Sequence, residues 1–266
     1  MNWFEALILG IVQGLTEFLP VSSSGHLELG KVLMNVDVQE DITFTVVVHG
    51  ATVLSTLVVF FKEVWEILKG SLKFKCYDET KYLVKIIISM IPVLIVGLFL
   101  EEYIEGFFGG RIQFVGLMLI ITAILLSLTH FFAHRIGEKT INNKSALIMG
   151  IAQAFATLPG ISRSGATIAT GLLLGNKKKE VAQFSFLMVL IPILGANLMS
   201  LMDYDPVSID SVVGSIPLLI GFLAAFISGW IACSWMVSIV KRGKLLWFAI
   251  YCLIVGLIAV ISGFIV

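Results

Sequence analysis

ALILGIVQGLTEFLPVSSSG (Ala6–Gly25) and ALIMGIAQAFATLPGISRSG (Ala146–Gly165) lie one over the other without a gap at a shift of 140 residues. Nine of the twenty positions coincide: Ala6, Leu7, Ile8, Gly10, Ile11, Gln13, Ser22, Ser24 and Gly25 of the first copy recur in the second. Apolar segments match by chance at fewer positions, so the chain reads as an internal repeat. The repeat runs over about 1–140 and 141–266 and forms one integral membrane domain over 1–266.

Both copies sit in regions, 3–36 and 145–176, that are apolar but broken midway by Pro, Gly and Ser. Each half is shorter than the roughly 20 residues a spanning helix needs. Such pairs suit hairpins that dip into the bilayer and return to the same face, with protein or a wet cavity around the irregular backbone. Longer apolar stretches at about 42–61, 82–100, 112–133, 181–202, 212–240 and 245–266 read as six spans. Each repeat is then one hairpin plus three spans. Three is odd, so the second repeat sits upside down relative to the first, an inverted-topology plan with its functional site where the repeats meet. The expected fold class is an all-α polytopic membrane protein.

Composition agrees. Of 266 residues 58% are hydrophobic and only 14% charged, where soluble domains carry about a quarter charged. Mean hydropathy is +1.00. A net charge of zero excludes nothing, but its distribution is informative. Segments 62–85, 134–144, 177–179 and 241–244 are basic, whereas 37–41, 101–105 and 203–210 are acidic. Basic loops stay cytoplasmic. Threaded that way, the first hairpin enters from outside, the second from the cytoplasm, and both termini lie outside. The opening MNWFEALILG has no basic n-region and carries Glu5, so no secretory signal is expected. Cys76, Cys233 and Cys252 form neither a CxxC nor a His/Cys cluster.

The broken regions concentrate the polar residues. A charge at membrane depth costs roughly 2.5–3.5 kcal/mol on insertion scales, so Glu17 and Arg163 need a function. Inverted symmetry sets the two tips face to face. After each break a Ser-rich turn opens a helix, whose first N–H groups and positive dipole end attract anions. Arg163 adds a fixed charge suited to phosphate oxygens. Gln13 and Glu17 share a helix face at i, i+4, and Ser23 and His26 at i, i+3. Together they suit phosphoryl transfer: Ser23 as nucleophile, Glu17 or His26 as base, Arg163 on the developing charge. Plainer alternatives stay open. The serines Ser22–Ser24, Ser162 and Ser164 serve as helix caps, Glu17–Arg163 is a structural ion pair, and Gln13 and Gln153 pack helices. Glu28 is a polar residue on its way back to the surface. His49, in FTVVVHGAT, lines the site or packs in a span. Pro92, Pro192 and Pro217 kink helices.

QGLTEFLPVSSSGH (Gln13–His26) and PGISRSGAT (Pro159–Thr167) resemble the two signature motifs of the undecaprenyl-diphosphate phosphatase family, also called bacitracin-resistance proteins. The resemblance runs along essentially the whole chain. It implies an enzyme of the bacterial plasma membrane that removes the terminal phosphate of a C55 polyprenyl diphosphate, recycling the carrier for peptidoglycan synthesis, from a site open to the outer face. It assigns catalysis to Glu17, Ser23, His26 and Arg163, and the phosphate pocket to Gln13, Ser22, Ser24, Ser162, Ser164 and Thr167. It also implies help from a divalent cation such as Mg²⁺ or Ca²⁺, with Glu17 and Gln13 as hard ligands beside substrate oxygens. Gln13 stands where many members have Glu, which leaves one carboxylate fewer. No organic cofactor is expected. The partners are the polyprenyl diphosphate and membrane lipids, not nucleic acid; a homodimer is left open. The rival reading is a polyprenyl-phosphate flippase using the same anion site, since architecture does not fix function.

Overall fold

The computed structural model describes residues 1–34, 36, 41–72, 77–100, 103–104, 111–132, 137–202 and 215–264. These form eleven helices and, among the described residues, no strand beyond one isolated bridge. The order is α1 (Trp3–Phe18), α2 (Ser23–Met34), α3 (Asp41–Val59), α4 (Phe61–Leu72), α5 (Tyr77–Phe99), α6 (Ile112–Phe131), α7 (Asn143–Phe155), α8 (Arg163–Leu173), α9 (Lys178–Met202), α10 (Ser215–Arg242) and α11 (Leu246–Ser262). The chain is an all-helical polytopic membrane protein.

The two expected hairpins are present as α1–α2 and α7–α8. Glu5 acts locally and completes a capping box with Asn2, each side chain satisfying an orphan backbone N–H at the start of α1. The second hairpin is closed at its mouth. Lys139 N–H donates to the Gly175 carbonyl at 3.2 Å, and Lys177 N–H to the Lys139 carbonyl at 3.0 Å. The chain therefore leaves where it entered. The first hairpin does likewise, since Met1, Met34 and Val36 all pack on one apolar cluster around Phe44 and Leu9.

Three helices, Asp78–Phe99, Ile112–Phe131 and Ser215–Val240, are long and apolar enough to cross a membrane. A fourth span results if α3 and α4, bent by 77° at their junction, count as one. The bend falls at the end of the expected span at 42–61, which α3 matches, and makes a helix of part of the basic segment 62–85. The reason is amphipathicity: α4, FKEVWEILKGSL, packs Val64 and Ile67 on the core and exposes Phe61, Trp65 and its charges. Such a helix lies along a surface rather than through a bilayer. Helix α11 is apolar but only 17 residues long. Pro92 and Pro192 lie inside α5 and α9. Pro217 instead falls in the first turn of α10, where a missing N–H costs nothing.

Packing swaps partners between the halves. Helix α1 lies along α10 of the second half, and α7 along α5 of the first. The equivalent glycines Gly10 and Gly150 make both approaches close: a Cβ at Gly10 would stand 2.5 Å from the Gly221 carbonyl oxygen, and one at Gly150 would strike the Ser89 carbonyl. The last helices, α6 and α11, pair with each other. The main core gathers around Phe18, Phe60, Phe184, Phe186 and Met236.

Three of the four basic segments, 134–144, 177–179 and 241–244, meet at one end. The Lys139–Lys177 bridge joins two of them, and Lys178 Nζ lies beside Gly243 of the third. The acidic residues Asp37, Glu40, Glu101, Glu102, Glu105, Asp203, Asp205 and Asp210 lie outside the described residues, as do Lys73, Lys75, Arg135 and Cys76. Cys233 and Cys252 are free and buried.

Candidate active site

The two hairpin tips are built alike. Ser22 Oγ accepts from the Gly25 N–H at 3.2 Å, and Ser162 Oγ from the Gly165 N–H at 3.0 Å. Each capping hydroxyl also lies 3.3 Å from that of the serine two residues on, Ser24 or Ser164. The backbone turn differs. In the first tip Ser22 itself adopts φ 71°; in the second the turn falls on Gly160, at φ 99°. A Cβ on Gly160 would lie 2.5 Å from the Val115 carbonyl oxygen, so only glycine fits. Thr122 of α6 clamps this tip: its hydroxyl donates to the Gly160 carbonyl and accepts from the Ser162 N–H, both at 3.1 Å. Ser164 Oγ donates to the Leu19 carbonyl at 3.3 Å, which ties the tips together.

The Glu17 carboxylate stands where they meet, 7% exposed at the end of α1. Its Oε2 accepts from Ser23 Oγ at 2.6 Å and from Gln13 Nε2 at 2.9 Å. Its Oε1 accepts from Arg163 Nη2 at 3.4 Å. His49 Nε2 of α3 lies 3.8 Å from Oε2. The His49 ring is oriented by its other nitrogen, which donates to the Thr45 carbonyl at 2.8 Å. Thus one buried carboxylate holds a hydroxyl, an amide, a guanidinium and an imidazole. A narrow cavity of about 20 Å³ beside it is lined by Glu17, Arg163, Ser164, Thr52 and Thr56, with Phe186 and Ile193 on the apolar side. That is room for about one water. The guanidinium, 28% exposed, forms the open side.

Of the residues expected in catalysis, Glu17, Ser23 and Arg163 converge, and Gln13 joins them. His26 does not share their hydrogen bonds. Its Nδ1 donates to the Ser22 carbonyl at 2.8 Å, and its Nε2 faces the Tyr251 hydroxyl at 2.9 Å. The two rings stack at 5.5 Å. The hydroxyl of Thr167 bonds the Arg163 carbonyl and Ser185 Oγ, holding α8 to α9 rather than facing the cavity. Ser22 and Ser162 are caps, and Ser164 both bonds Leu19 and lines the cavity. Gln153, the repeat mate of Gln13, is fully buried and takes no part. His49 moves from an open alternative to the carboxylate itself. Thr52, Thr56 and Tyr251 were not singled out by the sequence; a threonine or tyrosine in an apolar helix carries no signal of which wall it lines.

The donor set does not fit a protein-held divalent cation. Gln13 turns its amide nitrogen to Glu17, while its buried Oε1 has no partner. Arg163 stands on the other carboxylate oxygen. The two hard oxygen donors therefore do not converge, and among the described residues no three His, Cys, Asp or Glu side chains cluster.

Comparison with known proteins gives the chain its relatives. The family model described as bacitracin resistance protein BacA matches residues 6–258. A protein of Bacteroides thetaiotaomicron named undecaprenyl-diphosphatase is 54% identical over 265 residues, covering 98% of this chain and 99% of the relative. One of the same name from Parabacteroides distasonis is 55% identical over 263 residues, 98% of each chain. Another from Korarchaeum cryptofilum is 40% identical over 271 residues, 98% of this chain and 99% of the relative. With the family model matched across both hairpins and every span between them, the chain belongs to the BacA family of bacitracin resistance proteins.

Proposed function

We propose that this protein is an undecaprenyl-diphosphatase, hydrolysing a C55 polyprenyl diphosphate to the monophosphate and inorganic phosphate. The observation that carries the reading is the 2.6 Å hydrogen bond from Ser23 to Glu17, with Arg163 on the same carboxylate. A hydroxyl already donating to a buried carboxylate can lose its proton along that bond as it attacks. Glu17 is therefore the base in this proposal. His26, held by Ser22 and Tyr251, acts on the substrate side or in the second step.

The prenyl tail stays among the helices and lipids, and the diphosphate reaches the tips from the open side at Arg163. Ser23 Oγ attacks the terminal phosphorus, and its proton passes to Glu17. The bond from that phosphorus to the bridging oxygen breaks, and the lipid monophosphate leaves. Glu17 hands that proton to the departing phosphate oxygen and is a base again. Water then attacks the phosphoserine and gives a proton to Glu17, which returns it to Ser23 Oγ as the serine–phosphorus bond breaks and inorganic phosphate leaves. Arg163 leaves the carboxylate for the phosphoryl oxygens, where charge builds. Helices α2 and α8 both begin at the tips, and their N-terminal dipole ends favour the same anion.

The swapped pairing of α1 with α10 and α7 with α5 supports an inverted repeat of two re-entrant hairpins with three spans each. The joined basic segments support a cytoplasmic position for that end, hence a site open outward and both termini outside.

The test is phosphate release from undecaprenyl diphosphate by the purified protein in detergent. Wild type should turn over, Arg163→Ala should lose about 10²–10³ in rate, and Ser23→Ala should lose more. Lipid movement in vesicles without phosphate release would make the same site a flippase. Near-normal turnover by Ser23→Ala would replace the serine nucleophile with activated water.

A further inference from the structure

Lys31 is a charged residue for which the proposed reaction has no use, and it is 8% exposed. It lies on the buried face of α2 with Ser23 and Leu27, at i, i+4 and i+8. The side chain reaches α3: Nζ donates to Thr45 Oγ1 at 3.3 Å and to Glu28 Oε1 at 3.3 Å. Thr45 is the residue whose carbonyl orients His49, and His49 Nε2 faces Glu17. Lys31, Thr45, His49 and Glu17 thus form one polar file along the α2–α3 seam. From Thr45 to His49 is one helical turn, about 6 Å.

Burying an ammonium costs several kcal/mol, and an apolar residue of similar volume is often as stable or more so. A lysine at this depth is therefore poor packing and good anion chemistry. Its offset from Arg163 matters too. Arg163 holds one end of the file, at the carboxylate, and Lys31 the other. A diphosphate has two phosphoryl groups one bridging oxygen apart, and orthophosphate must leave past one end of the site. A flexible stem carrying a compact charge suits an anion that moves, where the planar guanidinium suits one that is fixed.

We propose that Lys31 is a second phosphoryl-binding group of this site, taking phosphoryl oxygens at the end of the α2–α3 seam away from the hairpin tips. Glu28 balances the ammonium when no anion is bound. The proposal rests on the phosphatase reading for the substrate, though not for the anion itself.

Three variants test it: Lys31→Met, Lys31→Arg and Glu28→Gln. Kinetics on undecaprenyl diphosphate give KM and kcat, and competition by inorganic phosphate gives its inhibition constant. Lys31→Met should raise KM, the phosphate inhibition constant, or both by about tenfold, with kcat changed less. A rise in KM alone assigns the lysine to the substrate; a rise in the inhibition constant alone assigns it to released phosphate. Lys31→Arg keeps the charge but not the compact ammonium, so it should recover only part of the loss. Glu28→Gln removes one negative charge beside the ammonium, so it should shift the same constants the opposite way. A purely structural ion pair predicts something different: Lys31→Met and Glu28→Gln would weaken the protein alike. That result, or constants within about twofold of wild type, overturns the proposal. If the wild type releases no phosphate, the phosphatase reading fails. Lys31 is then judged by whether inorganic phosphate raises the thermal midpoint of wild type and not of Lys31→Met.

Discussion

Ser22 holds φ 71°, a region that side chains other than Asn and Asp seldom occupy. Such strain persists only where surroundings impose it, and it gathers at functional sites. Here it turns the chain within a few residues, so that Ser23 opens α2 facing back at Glu17. The bond between them is the centre of the site. Glu17→Gln keeps size and shape but removes the proton acceptor, so phosphate release should fall by about 10²–10⁴ while the protein stays folded. Retained turnover in that variant would move the base elsewhere, with His26 next in line. Gly160 makes the matching turn in the second tip at φ 99°, hard against Val115. Gly160→Ala should cost about 1–3 kcal/mol, read as a lower thermal midpoint in detergent. An unchanged midpoint would mean that the α6 backbone gives way. That Glu17, Ser23 and Arg163 come together was legible in sequence because charge is rare in this apolar chain and the serines cluster beside it at the two breaks. The partners of His26 were not: Tyr251 lies 225 residues away in an unremarkable apolar helix.

Helix contacts depend on small residues. A Cβ on Gly14 of α1 would come within 2.7 Å of the Gly229 backbone nitrogen and 2.5 Å of the Ala225 carbonyl oxygen. Backbone atoms cannot step aside as a side chain can, so the α1–α10 contact is set by this glycine. Gly14→Val should destabilise by about 1–3 kcal/mol through overpacking. Because α1 carries Gln13 and Glu17, activity should fall with the fold, and phosphate release and thermal midpoint should move together. A loss of midpoint with full activity would show that α10 does not position the carboxylate. The helices themselves were readable from length and hydropathy: each expected span and each half-hairpin corresponds to a helix within a few residues. The break between α3 and α4 was not. Beyond the expected span at 42–61 the sequence shows only a basic segment, and it is the 77° bend that shows the chain turning aside at Phe60 into a second helix.

For the molecule as a whole, charge sidedness gives the sharpest test. The basic segments around Lys139, Lys177 and Lys244 share one end. In a background without Cys76, Cys233 and Cys252, a cysteine at the exposed Phe264 should react with an impermeant maleimide in intact cells. One at Lys244 should react only after permeabilisation. The reverse pattern would invert the chain and place the site toward the cytoplasm.

Reading residues in order was enough to show that the chain is helical and membrane-bound, and that its polar and charged residues gather at two broken segments of similar sequence. These follow from local properties: run length, hydropathy, turn residues, and the cost of charge in an apolar setting. Which groups meet is a matter of packing alone. Packing set His49, one turn from Thr45, against Glu17, and turned both nitrogens of His26 to other partners. It gave Gln13 an amide-to-carboxylate contact with Glu17, and brought Lys31 of α2 to Thr45 of α3. Each outcome depends on the rotation and crossing of helices far apart in the chain. That is set by backbone close approach at Gly10, Gly14 and Gly150 and by the clamp of Thr122, neither of which a single segment of sequence contains.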